Sequence, residues 1–131
     1  MKECPPEESI SQLLETIGKP ARLRILFAIG AGEACVCHLE AVLGLRQAYI
    51  SQHLMALRQA DLLDTRREGR YIFYRLSDPR LLQFIREASR LSGVTSAERK
   101  TLEQTSQESQ CSCPHCTADL QPESVLLQIT D

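Results

Sequence analysis

Residues 44–76 read GLRQAYISQHLMALRQADLLDTRREGRYIFYRL, and the spacing of their apolar residues changes partway along. From about Gln47 to Asp61, Ile50, Leu54 and Leu57 recur at i, i+4 and i+7, one face of a helix. After Leu62 and Leu63 the period drops to two. Glu68-Gly69 is a turn signal, and in YIFYRL Tyr71 and Phe73 point one way while Ile72, Tyr74 and Leu76 point the other. That pattern predicts a β-hairpin directly after a helix.

Upstream, Val36, Leu39 and Leu43 share a helical face with Val42 beside them, so EACVCHLE (33–40) belongs to a third helical segment that Gly44 interrupts. Helix, short glycine-containing turn, helix is the helix-turn-helix pattern. Two further helices precede it. One carries Ile10, Leu13, Leu14 and Ile17 and stops at Gly18; the next opens at Pro20, where a missing N–H costs nothing, and stops at Gly30 and Gly32. Asp78-Pro79 starts a fifth helix with Leu81, Leu82, Phe84, Ile85, Ala88 and Leu91. Its apolar face is broader than a lone surface helix needs, and a second subunit would cover the surplus. The expected fold is mainly α with a small β-hairpin, a winged helix-turn-helix. Residues 1–9 form an N-terminal arm, 10–92 the winged-helix domain, and 93–131 a polar C-terminal tail. The stretch VTSAERKTLEQTSQESQ suits either a helical extension or a disordered tail.

Net charge is −2, which argues against nucleic acid until its distribution is read. Residues 10–92 hold twelve Arg or Lys against eight Asp or Glu, and both ends are acidic. A phosphate backbone responds to charge within a Debye length, so the basic middle is what matters. On the second helix of the pair, Gln52 and Ala48 face outward with Tyr49 and Ser51 on the flanks, and Arg46 and Gln47 stand at its entry. Such a helix fits the major groove, where Gln reads adenine and Ser meets base or phosphate. Arg66, Arg67 and Arg70 cluster about Gly69, placed for phosphate contacts that release counterions. His53 lies toward the core flank of its helix and reads as a packed, hydrogen-bonded side chain.

From about residue 10 to residue 92 the chain resembles the ArsR/SmtB family of bacterial metal-responsive repressors. ACVCHL resembles that family's ELCVCDL box, AYISQHLMALRQADLL its recognition helix, and REGRYIFYRL its wing. The resemblance implies a homodimer joined through the first and last helices, a near-palindromic double-stranded operator, and release when a metal or metalloid binds.

Six cysteines stand at 4, 35, 37, 111, 113 and 116, five of them in two tight groups. No run of ~18 apolar residues would cross a membrane, and MKECPPEES lacks the apolar stretch of a signal peptide, so the expected compartment is the cytoplasm. Reducing conditions there keep thiols from forming a disulfide framework, and clustered cysteines read as metal or redox chemistry. Thiolates select soft or borderline ions, As(III) and Sb(III) first here, then Cd(II), Pb(II) or Zn(II). On a regular helix Cys35 and Cys37 point about 200° apart, so joint ligation needs an unwound turn or a loose helix start. A thiolate near a helix N-terminus has a lowered pKa, which favours ion capture. As a mere packing residue, Cys35 would border the core next to Leu39 and Val42.

The arsenic-responsive form of the box has a further cysteine three after the second, where this chain has Glu40; the box aspartate is His38. A third sulfur would come from Cys4, as N-terminal cysteines serve in the cadmium/lead branch, or from Cys111, Cys113 and Cys116 in CSCPHC, which also form a candidate second site. Residues 79–92 contain no His, so the zinc site some members build on the last helix is expected to be absent. The alternative is a redox or reactive-sulfur sensor on the same fold, although a disulfide between i and i+2 of a helix would be strained. No Ser/His/Asp set, phosphate loop or carboxylate pair points to an enzyme.

Overall fold

The structure, a computed structural model, describes residues 4–104. Among them are six helices, α1 (Pro6–Ile17), α2 (Pro20–Ile29), α3 (Val36–Leu43), α4 (Gln47–Gln59), α5 (Arg80–Leu91) and α6 (Ser96–Gln104). Three strands, β1 (Glu33–Cys35), β2 (Leu63–Glu68) and β3 (Tyr71–Leu76), complete the fold.

Proline at the first turn opens both α1 and α2, and Glu7 and Glu8 add negative charge at the positive end of the α1 dipole. Gly18 caps the end of α1, a position that takes glycine because a Cβ there would come 2.7 Å from the Leu14 carbonyl oxygen. Gly44 ends α3 in the left-handed region, at φ +67°, and returns its N–H to the Glu40 carbonyl. Gly44, Leu45 and Arg46 then make the three-residue turn into α4.

The centre of the molecule is α2, whose residues Ile25 to Ile29 are all buried and which touches α3, α4, α5, α6, β1 and β3. Around it pack Leu39, Ile50, Leu54, Leu57, Leu63 and Ile85. The expected stripe on α4 is thus the buried one, although the helix ends at Gln59 rather than Asp61.

The hairpin of the sequence reading is two-thirds of a sheet. β1 adds to its β3 side, giving the antiparallel order β1-β3-β2. The register sets Cys35 opposite Phe73, and Phe73 opposite Arg66, in one row across all three strands. Side chains alternate between faces of a sheet. Ala34, Leu63, Tyr74 and Leu76 accordingly pack on the main core, while Cys35 and Phe73 form a separate buried cluster with Cys37 and Tyr71 against it.

Two expectations are corrected. EACVCHLE is not all helix, because Glu33–Cys35 finds backbone partners on β3 and the helix begins only at Val36. Cys35 therefore lies on the far face of the sheet with Phe73, not beside Leu39 and Val42. Beyond the composition shift at Gly93, α6 packs back on α2, with Leu102 against the core. Glu103 accepts from Arg86 at 2.5 Å and Arg99 at 2.9 Å. The packed unit therefore runs past residue 92, and α5 is not its last helix.

Candidate nucleic-acid interface and thiol site

With Ile50, Leu54 and Leu57 fully buried, the opposite side of α4 faces solvent. Arg46, Gln47, Tyr49 and Gln52 are exposed there and Ser51 is half-buried. Met55 continues the outward line of Ala48 and Gln52 and is 61% exposed. The sequence reading missed it, although its position one helical turn beyond Gln52 was a readable signal. A thioether and a methyl on this face are apolar groups of the kind that meet thymine methyl groups.

The pitch of α4 is held by a polar clamp. Arg22 on α2 donates through Nη1 to the Thr16 carbonyl at 2.8 Å and through Nε to His53 Nδ1 at 3.1 Å. One side chain thus ties the end of α1 to α4. Tyr49 meets the His53 ring edge-on, with centroids 4.6 Å apart, so the clamp reaches the exposed face. His53 is the packed, hydrogen-bonded residue its position suggested. Since Nδ1 accepts, the neutral ring carries its proton on Nε2, which is buried with no hydrogen-bond partner among the described residues. Burial first, then the charges of Arg22 and Lys19, push its pKa below the ordinary histidine value.

The three wing arginines separate into two kinds. Arg67 and Arg70 are exposed and form no ion pair among the described residues. Arg70 lies 5.5 Å from the Tyr71 ring centroid at the hairpin tip. Arg66 is engaged instead. Its guanidinium lies 4.7 Å over the Phe73 ring, reaches across β3 to Glu33 on β1, and meets Glu68 at 2.9 Å. Both carboxylates, Glu33 first, raise its pKa above the usual arginine value.

Cys35 is the N-cap of α3: its backbone is extended, and its Sγ accepts from the His38 N–H at 3.4 Å. An acceptor at a helix N-terminus gains from negative charge, so a thiolate suits the place. Because Cys35 precedes the helix, the 200° divergence expected of two helical residues does not arise. The two Sγ atoms converge to 2.8 Å, with Cys35 buried and Cys37 half-buried. This is the loose helix start that joint ligation requires. Cys4 is exposed, and no three His, Cys, Asp or Glu side chains among the described residues are grouped to hold an ion. Among the described residues the thiol donors brought together are thus two, Cys35 and Cys37. Cys111, Cys113 and Cys116 lie outside the described residues.

A recognition helix over a helix-turn-helix, flanked by a basic hairpin, defines a winged-helix regulator. Residues 19–65 match the family described as bacterial regulatory protein, arsR family. The chain is 43% identical over 76 residues to a biofilm growth-associated repressor of Agrobacterium fabrum, a match covering 58% of this chain and 65% of that protein. It is 42% identical over 82 residues to an arsenic resistance transcriptional regulator of Pseudomonas putida, covering 63% and 61%. The matched stretch thus spans just under two thirds of these two relatives. Among solved structures, NolR from Sinorhizobium fredii is 31% identical with a TM-score of 0.61, over 72% of this chain and 100% of that one. The repressor BigR from Xylella fastidiosa is 32% identical, also with a TM-score of 0.61, over 65% and 87%. The chain belongs to the ArsR family of DNA-binding transcriptional regulators and is not an enzyme.

Proposed function

We propose that this regulator is a homodimeric repressor that binds a near-palindromic operator and releases it when a thiophilic ion is captured by Cys35 and Cys37. As(III) or Sb(III) comes first, then Cd(II), Pb(II) or Zn(II). The observation carrying this reading is the convergence of the two sulfurs at the N-cap of α3, the helix directly before α4. Arg46, Gln47, Tyr49, Ser51 and Gln52 would meet the major groove, and Arg67 and Arg70 the flanking phosphates. Cys4 or one of Cys111, Cys113 and Cys116 would supply the third sulfur. With arsenite, each As–S bond replaces an As–OH bond, and each thiol proton leaves in water, with no change of oxidation state. The dimer reading is supported by apolar side chains left at the surface of α1 and α5: Ile10, Leu13, Leu14, Phe84 and Leu91. No helix among the described residues is long and apolar enough to cross a membrane.

A redox reading is favoured by one distance. Two sulfurs on one tetrahedral ion with bonds of about 2.3 Å stand about 3.8 Å apart, whereas these are 2.8 Å apart. The strain argument against a disulfide also falls away, since Cys35 is not helical. A peroxide would take two electrons and two protons from the pair, forming one S–S bond and leaving as water.

Fluorescence anisotropy of the reduced protein on its promoter DNA, titrated with arsenite, cadmium, zinc and peroxide, separates the two. Release by a soft ion alone is the expected result. Release by peroxide alone would replace it with the redox reading. A Cys35→Ser/Cys37→Ser variant that still responds fully would remove both.

A further inference from the structure

Ion capture must move these sulfurs. They have to open by about 1 Å to reach the spacing of two ligands on one ion. Cys37 is half-buried, but Cys35 is 2% exposed and packs on Phe73, itself 1% exposed. Phe73 is the middle residue of the row Cys35–Phe73–Arg66, and its ring lies under the Arg66 guanidinium. Arg66 in turn spans the sheet to Glu33, two residues before Cys35 on the same strand. The cysteine, the ring, the arginine and the glutamate therefore close a loop that joins β1 to the wing strand β2, which are not themselves neighbours.

Resting on the thiol-site reading above, we propose that the pair Glu33–Arg66 is a staple through which the cysteine site controls the wing, and that Arg66 is a positioning residue, not a phosphate contact. In the ion-free protein the staple holds β2 against β1 and sets Arg67 and Arg70 at the hairpin tip for DNA. Opening the sulfurs pushes Cys35 against the buried Phe73 ring on which it packs. The ring shifts, Arg66 loses its seat over Phe73 and its reach to Glu33, and the wing loosens. The recognition helix need not move for affinity to fall. Linkage then demands the reverse effect, because a protein already without its staple gives up less on taking the ion and binds it more tightly.

The test uses the full chain with Glu33→Gln, Arg66→Gln, the exchanged pair Glu33→Arg/Arg66→Glu, and Arg70→Gln as reference. Operator affinity is measured against salt and then with Cd(II), and Cd(II) uptake without DNA is followed by thiolate-to-cadmium absorbance. Arg66→Gln should change the salt slope no more than Glu33→Gln does, because both act by releasing the wing, whereas Arg70→Gln removes one contact from each subunit of the dimer and lowers its magnitude by about 2. Glu33→Gln and Arg66→Gln should each shrink the cadmium-driven loss of operator affinity by about fivefold, and tighten cadmium uptake by a similar factor. The exchanged pair should recover most of the response, which a folding defect would not. A salt slope that falls in Arg66→Gln but not in Glu33→Gln would return Arg66 to the phosphates and overturn the proposal. So would a cadmium response in Glu33→Gln equal to that of a responsive wild type. A wild-type protein that leaves the operator with neither cadmium nor arsenite would overturn the parent reading and the staple together; one that answers arsenite alone is put through the same comparison with arsenite in place of cadmium.

Discussion

Arg22 and His53 stand 31 residues apart in the chain and share one hydrogen bond, from the arginine Nε to the histidine Nδ1 at 3.1 Å. The bond exists only while the imidazole is neutral, because a protonated Nδ1 has no lone pair to offer. It joins α2 to the inner flank of α4, while the same arginine holds the end of α1 through the Thr16 carbonyl, so acidification loosens the α4 side of the clamp.

His53 has its pKa lowered by burial, then by Arg22 and Lys19. A depressed folded-state value means the unfolded chain binds the proton more readily, so stability rises with pH across that window. The contribution is complete above the ordinary histidine pKa near 6.5 and is lost as pH falls through the folded value. Thermal melting and operator affinity should both decline on acidification through that window. His53→Gln should flatten this decline, and Arg22→Met should cost about 2 kcal/mol at neutral pH. A melting profile in His53→Gln that keeps the wild-type pH dependence would count against the clamp.

Arg67 and Arg70 are exposed and make no ion pair among the described residues. If they meet phosphates, neutralising both on each subunit of the dimer should reduce the magnitude of the slope of log affinity against log salt by about 4. Discrimination among operator sequences should hardly change. Gln52→Ala should behave in the opposite way, costing about 1–3 kcal/mol on the best site with little change in slope. Salt-dependent anisotropy on matched and scrambled duplexes distinguishes the two classes.

Leu91 is 86% exposed on α5 and Ile10 is 58% exposed on α1. A dimer built on these helices should bury them, and Leu14→Glu with Phe84→Glu should shift the protein to monomer by size-exclusion light scattering. Operator affinity should fall steeply in the same variant, since one half-site remains. A double variant that stays dimeric would move the interface elsewhere.

Glu103 is held below the ordinary carboxylate range, chiefly by the Arg86 hydrogen bond. Its contribution to docking α6 is present above the unfolded carboxylate pKa and disappears as pH falls through the depressed value. Glu103→Gln should destabilise by about 1–2 kcal/mol, with faster amide exchange in α6 than in α4. Equal protection of α6 in the wild type and in Glu103→Gln would mean that the apolar contact of Leu102 holds the helix without the ion pair.

Most of the helices were legible because local rules decide them. Proline at Pro6 and Pro20, glycine at Gly18, Gly30 and Gly44, and apolar residues at helical spacing each act within a turn or two of chain. The wing was legible for the same reason, since alternation and the Glu68-Gly69 turn are both local. From these came the winged helix, its outward α4 face and the family resemblance. The tertiary structure decided what depends on pairing between distant segments. A strand of three residues has too few positions to show a period, and β1 exists because β3 supplies its hydrogen bonds. That pairing turns Cys35 from a helix residue into an N-cap, brings its sulfur to Cys37, and puts it on Phe73. It also sets Glu33 within reach of Arg66, which the sequence reading had grouped with Arg67 and Arg70 as one basic cluster. Charge is visible in a sequence, but which charges neutralise one another depends on register across a sheet.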